Sequence, residues 1–289
     1  MDQRRASRAE PPLQTERRNG TPVSDAAQTG QAPRSASVQF RRNPETFARM
    51  SALMSSSADA KFLQYMVSIS GVARQDRVLE VACGPGACTL AFAERCRRAV
   101  GLDPSAELIA EARKAAAHRG TGNAAFVVGE VERMGFRDGA FDAAVCRFSF
   151  HHFTDPARVF AEMGRVIGPQ GWMVVVDVTA SEDPVKAGVH NELERLCDPT
   201  HVRTLAASEF ERIFTAEGFT VAMKIARQSL STVEEWTSWA PAPAENIPII
   251  RAILEDAVDD DRPGLALQRD AGTIRLMHTS VSFVLERSG

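Results

Sequence analysis

Long apolar runs are missing from this 289-residue chain. None approaches the roughly 18 residues of a membrane-spanning helix, and the amino end lacks the apolar core of a secretory signal. The five cysteines (83, 88, 96, 146 and 197) form no CxxC pair and show no metal-ligand spacing. They are expected as buried, reduced thiols of a cytoplasmic protein with no metal site and no membrane partner. Lysine is scarce, at positions 61, 114, 186 and 224 only, and Tyr65 is the sole tyrosine. A basic excess is also missing. Eight Arg and four acids put +4 on residues 1–42, so the formal net charge of −3 leaves −7 on the remainder. A basic tail on an acidic body argues against a nucleic-acid partner. No internal repeat is visible, and no oligomer is specified.

What is present falls into three zones. Residues 1–37 are rich in Arg, Gln, Ser, Pro and Gly with almost no large apolar side chain; such a segment cannot offset its ordering entropy and is expected to be disordered. Residues 38–75 carry Phe40, Phe47, Met50, Phe62, Met66 and Ile69 near helical spacing, which predicts two or three short helices. From residue 76 onward strands and helices alternate. Apolar strands are expected at 78–81, 99–103, 124–129, 141–148, 171–178, 219–225 and 272–285, with helices at 87–94, 105–118 and 184–196. That alternation predicts a doubly wound α/β fold. Ser208-x-x-Glu211 reads as the capping box of a further helix. The prolines at 241, 243 and 248 divide a helical stretch over 231–258 that carries Trp236 and Trp239.

The stretch Arg77-Val78-Leu79-Glu80-Val81-Ala82-Cys83-Gly84-Pro85-Gly86 organises this pattern. It is a buried strand, an acid near its carboxyl end and a glycine turn leading into a helix, the place where doubly wound folds bind ligands. Gly84 and Gly86 let a ligand approach the backbone. A dinucleotide would set its pyrophosphate at the following helix, where Glu80 would repel it, and Thr89 stands where the dinucleotide fingerprint has its third glycine. S-adenosylmethionine (SAM) has a sulfonium and an ammonium and no phosphate, so the spacing favours SAM. Asp103 ends the next strand, 19 residues past Gly84, where an acid can accept ribose hydroxyls; with Pro104 after it, Asp103 could instead cap the next helix.

At this point the chain resembles class I SAM-dependent methyltransferases of the type 11 small-molecule branch, which includes the quinone-biosynthesis C-methyltransferases. The family's first loop glycine is Ala82 here. The resemblance implies a Rossmann-like, seven-stranded, mostly parallel sheet whose last strand runs antiparallel between strands five and six. It implies lid helices over 38–75, a core over 76–289 and helical cap insertions near 184–206 and 231–258. Phe47 stands where many relatives have Tyr. By the same resemblance Glu130 accepts from the adenine amino group and the Val131 backbone meets the ring. Glu80, Gly84, Gly86, Asp103, Pro104, Arg147 and His152 complete the expected cofactor contacts.

Two further strings match the branch: Ser149-Phe150-His151-His152-Phe153 after strand four, and Asp198-Pro199-Thr200-His201-Val202-Arg203 before a helix. Adjacent His residues cannot share one face, and no acidic third ligand lies at metal spacing, so a zinc site there is discounted. His151 and His201 are the catalytic candidates, with loop hydrogen bonding as their alternative role. Methyl transfer needs chiefly alignment, and a base only where the acceptor must lose a proton. The expected acceptor is a small, fairly apolar molecule, methylated on O, N or C, in specialised metabolism. A SAM-binding module without catalysis and a dinucleotide oxidoreductase are the competing readings.

Overall fold

A computed structural model describes residues 57–239, 242–270 and 272–288. The tail expected over 1–37, and the lid up to residue 56 with Phe47, lie outside them. The first described element is α1 (Ser57–Ile69), which carries Phe62 and Met66. There follow β1 (Arg77–Val81), α2 (Ala87–Ala93), β2 (Arg98–Asp103), α3 (Ala106–Arg119), β3 (Ala124–Val128) and β4 (Phe141–Arg147). A single 3₁₀ turn at Phe150–His152 precedes α4 (Pro156–Val166) and β5 (Ile167–Thr179). The carboxyl part holds α5 (Pro184–Cys197), α6 (Ala207–Ala216), β6 (Phe219–Thr232), α7 (Val233–Trp239), α8 (Ile247–Ala257), β7 (Gln268–Asp270) and β8 (Thr273–Arg287).

The strands form one mixed sheet in the order β3-β2-β1-β4-β5-β8-β6. The first five are parallel, and β8 runs antiparallel between β5 and β6. The sheet has eight strands rather than seven, because the three-residue β7 pairs with β8. A strand of three exposed residues has no periodicity to read. Strand order reverses between β1 and β4, so the ligand crevice of such a sheet opens at their carboxyl ends.

Both faces of the sheet are covered. Leu79, Val81, Phe150, Phe160, Phe210, Phe214 and Phe283 pack on the side of α4 and α6. Phe62, Met66, Val78, Phe92, Val145 and Val174 pack on the side of α1 and α2. Burial on both sides explains why β1, β4 and β5 read as nearly unbroken apolar runs.

β6 runs on to Thr232, seven residues past its expected end. Its pairing with β8 continues through Thr232↔Arg275, whereas β5 leaves β8 at Thr179↔Thr279. The β6–β8 ribbon therefore rises past the carboxyl edge of the parallel strands. A third core forms there from Leu193 and Cys197 of α5, Val233 and Trp236 of α7, Ile250 and Leu254 of α8, and Ile274 and Leu276 of β8. The two stretches expected as cap insertions thus share one apolar core with the raised ribbon.

Two local expectations are corrected. The helix after Asp103 is capped by Ser105, whose side chain accepts from Leu108 N at 3.2 Å, so neither Asp103 nor Pro104 starts it. The Ser208-x-x-Glu211 box does not form: α6 is capped two residues earlier, at Ala206, and Glu209 accepts from Ala206 N at 2.9 Å. Ser208 instead donates its N–H and hydroxyl to Glu182, at 3.0 and 2.6 Å. Among the described residues, no helix is long and apolar enough to cross a membrane.

The β1–α2 turn depends on two backbone conformations. Gly86 has φ +84°, and a Cβ there would meet the Phe126 ring at 2.5 Å and Ala112 Cβ at 2.9 Å. Ala82 has φ 55° despite its side chain. Gly86→Ala should therefore destabilise the chain by roughly 2–5 kcal/mol, about 1–2 from the left-handed backbone and about 1–3 from overpacking. Urea unfolding checks this; an unchanged midpoint would mean that α2 can move off β3 freely.

Candidate active site

The glycine loop is held from beneath by two carboxylates. Asp103, at the end of β2, accepts from Gly84 N through Oδ2 and from Ser105 N through Oδ1, both at 2.8 Å. Glu80, next to last in β1, accepts Thr89 N at 2.6 Å and also the Thr89 hydroxyl through Oε2. Both acids are buried, at 6% and 4% exposure. Burial pushes Asp103 up to about 6 against two backbone hydrogen bonds, and Glu80 up to about 7 against its bonds to Thr89 and the charge of Arg147. The crevice thus holds two carboxyls that ionise at a cost, a setting that favours a cationic ligand and opposes a diphosphate. Thr89 is the reason no third glycine is needed: its hydroxyl ties α2 to Glu80.

The remaining cofactor candidates lie around the same edge. Glu130 is exposed just past β3, and Val131 after it is buried in the main core. Arg147, at the end of β4, is buried and pairs with Asp59 of α1 at 2.5 Å. That bond fastens the helix preceding β1 to the switch point. Burial pushes the thiols of Cys83, Cys88 and Cys146 well up, which leaves them un-ionised and unsuited to nucleophilic attack.

The two His motifs come together. The His151 carbonyl accepts from Val202 N and Arg203 N, at 2.9 and 3.0 Å, so the 198–203 loop lies on the 3₁₀ turn. The His151 ring is 4.1 Å from that of His152 and 5.6 Å from that of His201, centroid to centroid. His151 Nδ1 lies 2.6 Å from Oδ1 of Asp177, a fully buried acid in β5 that also accepts from Val178 N. Burial pulls the His151 imidazole down, but the charge and hydrogen bond of Asp177 outweigh it, so its pKa rises above the ordinary 6.5.

Its neighbours move the other way. Burial, then the charge of His151, lowers His152 to about 4 and His201 to about 3. His152 Nδ1 meets the Thr200 hydroxyl at 3.0 Å, and His201 Nε2 lies 2.9 Å from Asn191 Oδ1. One imidazole of the three takes the proton, and it is the one oriented by an acid. Arg203 points elsewhere, pairing with Glu209 at the start of α6.

Asp177, Asn191 and Asp59 were not among the residues expected to matter, and Thr89 was noted only for the glycine it replaces. For Asp177 the signal was present in Trp172-Met173-Val174-Val175-Val176-Asp177: an acid ending an apolar central strand has to be buried with a partner. Asn191 sits in a helix and Asp59 lies 88 residues from Arg147, so neither carries a local signal.

A parallel sheet with this switch point, a glycine turn clamped by acids and a polar cap defines the Rossmann-like methyltransferase class. The chain belongs to the methyltransferase domain family, of the SAM-dependent class I kind, and the family's model matches residues 79–175. It is 30% identical over 235 residues to the uncharacterised methyltransferase YcgJ of Bacillus subtilis (strain 168), covering 81% of this chain and 88% of that one. The crystal structure of YcgJ superposes with a TM-score of 0.73 at 28% identity, over 78% of this chain and 98% of that chain. The ubiquinone/menaquinone biosynthesis C-methyltransferase UbiE of Citrifermentans bemidjiense is 31% identical over 137 residues, 46% of this chain and 58% of that one.

Asp177→Asn keeps the shape of the His151 contact and removes its charge. The His151 pKa should then fall, because burial is opposed only by the charges of Glu194 and Asp198 once that of Asp177 is gone. Imidazole nitrogen shifts followed by NMR against pH measure this; a pKa that stays raised would discharge Asp177 from the role.

Proposed function

We propose that the chain transfers the methyl group of SAM to a small, fairly apolar acceptor held under the cap, with His151 as general base wherever the acceptor must lose a proton. The observation that carries this reading is the pair of buried carboxylates, Glu80 and Asp103, whose pKa values lie at about 7 and about 6. A cationic nucleoside stabilises their ionised forms, and a diphosphate does the reverse.

When bound, SAM supplies a methyl already activated on a sulfonium for in-line displacement. Asp103 has spare lone pairs for the ribose hydroxyls, and Glu80 holds Thr89 and, through it, the loop around the ligand. In this assignment Gly84, Gly86 and Pro104 shape the crevice wall, and Glu130 with the Val131 backbone borders the adenine. Arg147 and His152 hold the rim. In its neutral form His151 takes the acceptor proton at Nε2, which makes no hydrogen bond among the described residues, while Asp177 stabilises the imidazolium so formed. His201, the other catalytic candidate, is assigned to the wall, because its Nε2 is committed to Asn191. The likeness to UbiE, a C-methyltransferase of ubiquinone/menaquinone biosynthesis, favours carbon as the methylated atom. A catalytically silent SAM binder is the second reading, favoured only by the distance-free fit of the cofactor half; the His151–Asp177 pair has no purpose in it.

Asp103→Ala should weaken SAM binding about tenfold or more, since hydrogen bonds to a charged group contribute about 1.5–3 kcal/mol. Calorimetric titration tests it, and unchanged affinity would refute the ribose contact. The same titration in wild-type protein should show affinity falling as pH drops from above 7 to below 6. Below their folded pKa values Glu80 and Asp103 carry protons, which the cation must displace. Proton release on binding, read in buffers of different ionisation enthalpy, is the expected signature. His151→Ala should cost about 10²–10⁴-fold in turnover on a protic acceptor with SAM affinity nearly unchanged; full turnover would return His151 to the loop.

A further inference from the structure

Beyond His151, His152 and His201, two more histidines gather at the cap. His190 and Glu194 stand four residues apart on α5, hence on one helical face. His278 comes from β8, opposite Ser229 and one residue beyond the last pairing of β8 with β5. One donor atom from each of the three lies within 4.8 Å of the others. Glu194 Oε1 is 3.1 Å from His190 Nε2 and 3.2 Å from His278 Nε2.

We propose that His190, Glu194 and His278 form a binding site for one divalent transition-metal ion, zinc being the best match. Two imidazole nitrogens and one carboxylate oxygen are the donor set of the three-ligand zinc sites that keep a further position open. Metal–ligand bonds of about 2.0–2.1 Å at tetrahedral angles separate neighbouring donors by about 3.3 Å, close to both observed distances. A second observation points the same way. His278 is 8% exposed, and neither of its ring nitrogens makes a hydrogen bond, although Nε2 is aimed at Glu194. A buried imidazole without a hydrogen bond is costly; a metal would employ the Nε2 lone pair, which the 3.2 Å ion-pair contact with Glu194 leaves without a hydrogen bond.

The donors also stand on rigid supports, as a metal site requires. Leu193 and Cys197 anchor α5 in the cap core, and Ile274 and Leu276 anchor the same length of β8. The ion would therefore join α5 to the raised ribbon at the carboxyl edge of the sheet. Water or an oxygen donor of a bound molecule would complete its coordination. The expectation of no metal site rested on cysteine spacing and on the His151–His152 pair. His190-x-x-x-Glu194 was readable, but its third donor lies 84 residues further on.

The test uses the untagged full chain, stripped with a chelator and titrated with Zn²⁺ against a chromophoric competitor, then with Co²⁺ while visible absorption is recorded. One equivalent of each ion should bind, with the d–d bands of four- or five-coordinate Co²⁺. Glu194→Gln and His278→Ala should each weaken binding about a hundredfold or more, while His151→Ala leaves it unchanged. Absence of saturable binding to the wild-type chain overturns the proposal without reference to any variant's folding. Binding that survives both ligand substitutions, or that is lost in His151→Ala, overturns it as well. Neither result bears on SAM binding, which a separate titration reads.

Discussion

Burying two carboxylates at the ends of β1 and β2 is the constraint on which the rest of the site depends. Each is costly to ionise where it lies, and each lowers that cost by accepting hydrogen bonds from the loop it supports. Asp103 binds Gly84 N and Ser105 N; Glu80 binds the N–H and hydroxyl of Thr89. The same bonds draw the glycine loop and the first turn of α2 down onto the sheet. They also fix the sign of charge that the crevice welcomes. Loop geometry and ligand charge are therefore two consequences of one arrangement.

The acceptor side follows a different electrostatic rule. The His151 ring lies within contact distance of two other imidazoles, tilted to His152 and stacked on His201, and the three cannot all be protonated at close quarters. Asp177 breaks the tie in favour of His151, and the charge of His151 then lowers its neighbours. The neutral rings are free to serve as hydrogen-bond links in the walls: His152 to Thr200, His201 to Asn191. A single buried acid thus assigns different roles to residues of the same type.

Much of this was legible in the sequence because it is local. A strand, an acid and a glycine turn occupy ten consecutive residues, and burial on both faces leaves an unbroken apolar run. The antiparallel place of β8 came from family resemblance, not from its alternating pattern. What escaped was non-local or too short. Residues 226–232 form strand only because 275–281 pair with them, the first four of those residues lying past the end of β5. The three residues of β7 have no period. The start of α6 went to Ala206 and Glu209 instead of Ser208, since Glu182, 26 residues away, takes the serine's donors. A local capping signal loses when a distant acceptor satisfies the same groups.

The cap explains how a widely shared sheet can serve a particular acceptor. The crevice below it is assembled from strand ends and is set by the parallel sheet. Above it lie α5, the 198–203 loop and the raised β6–β8 ribbon, none of which the parallel sheet requires. Five of the six histidines face this region from four different segments; only His118, on α3, is elsewhere. Polar groups close to the packed core of Trp236, Ile250 and Leu254 fit the acceptor proposed above, one with an apolar body and a protic edge. Turning such a molecule end for end would leave the imidazoles unpaired and its own polar edge buried among hydrocarbon, a mismatch of about 1–3 kcal/mol for each polar group. On the proposed reading, orientation of the acceptor toward the methyl group is a property of the cap, and the sheet holds the donor.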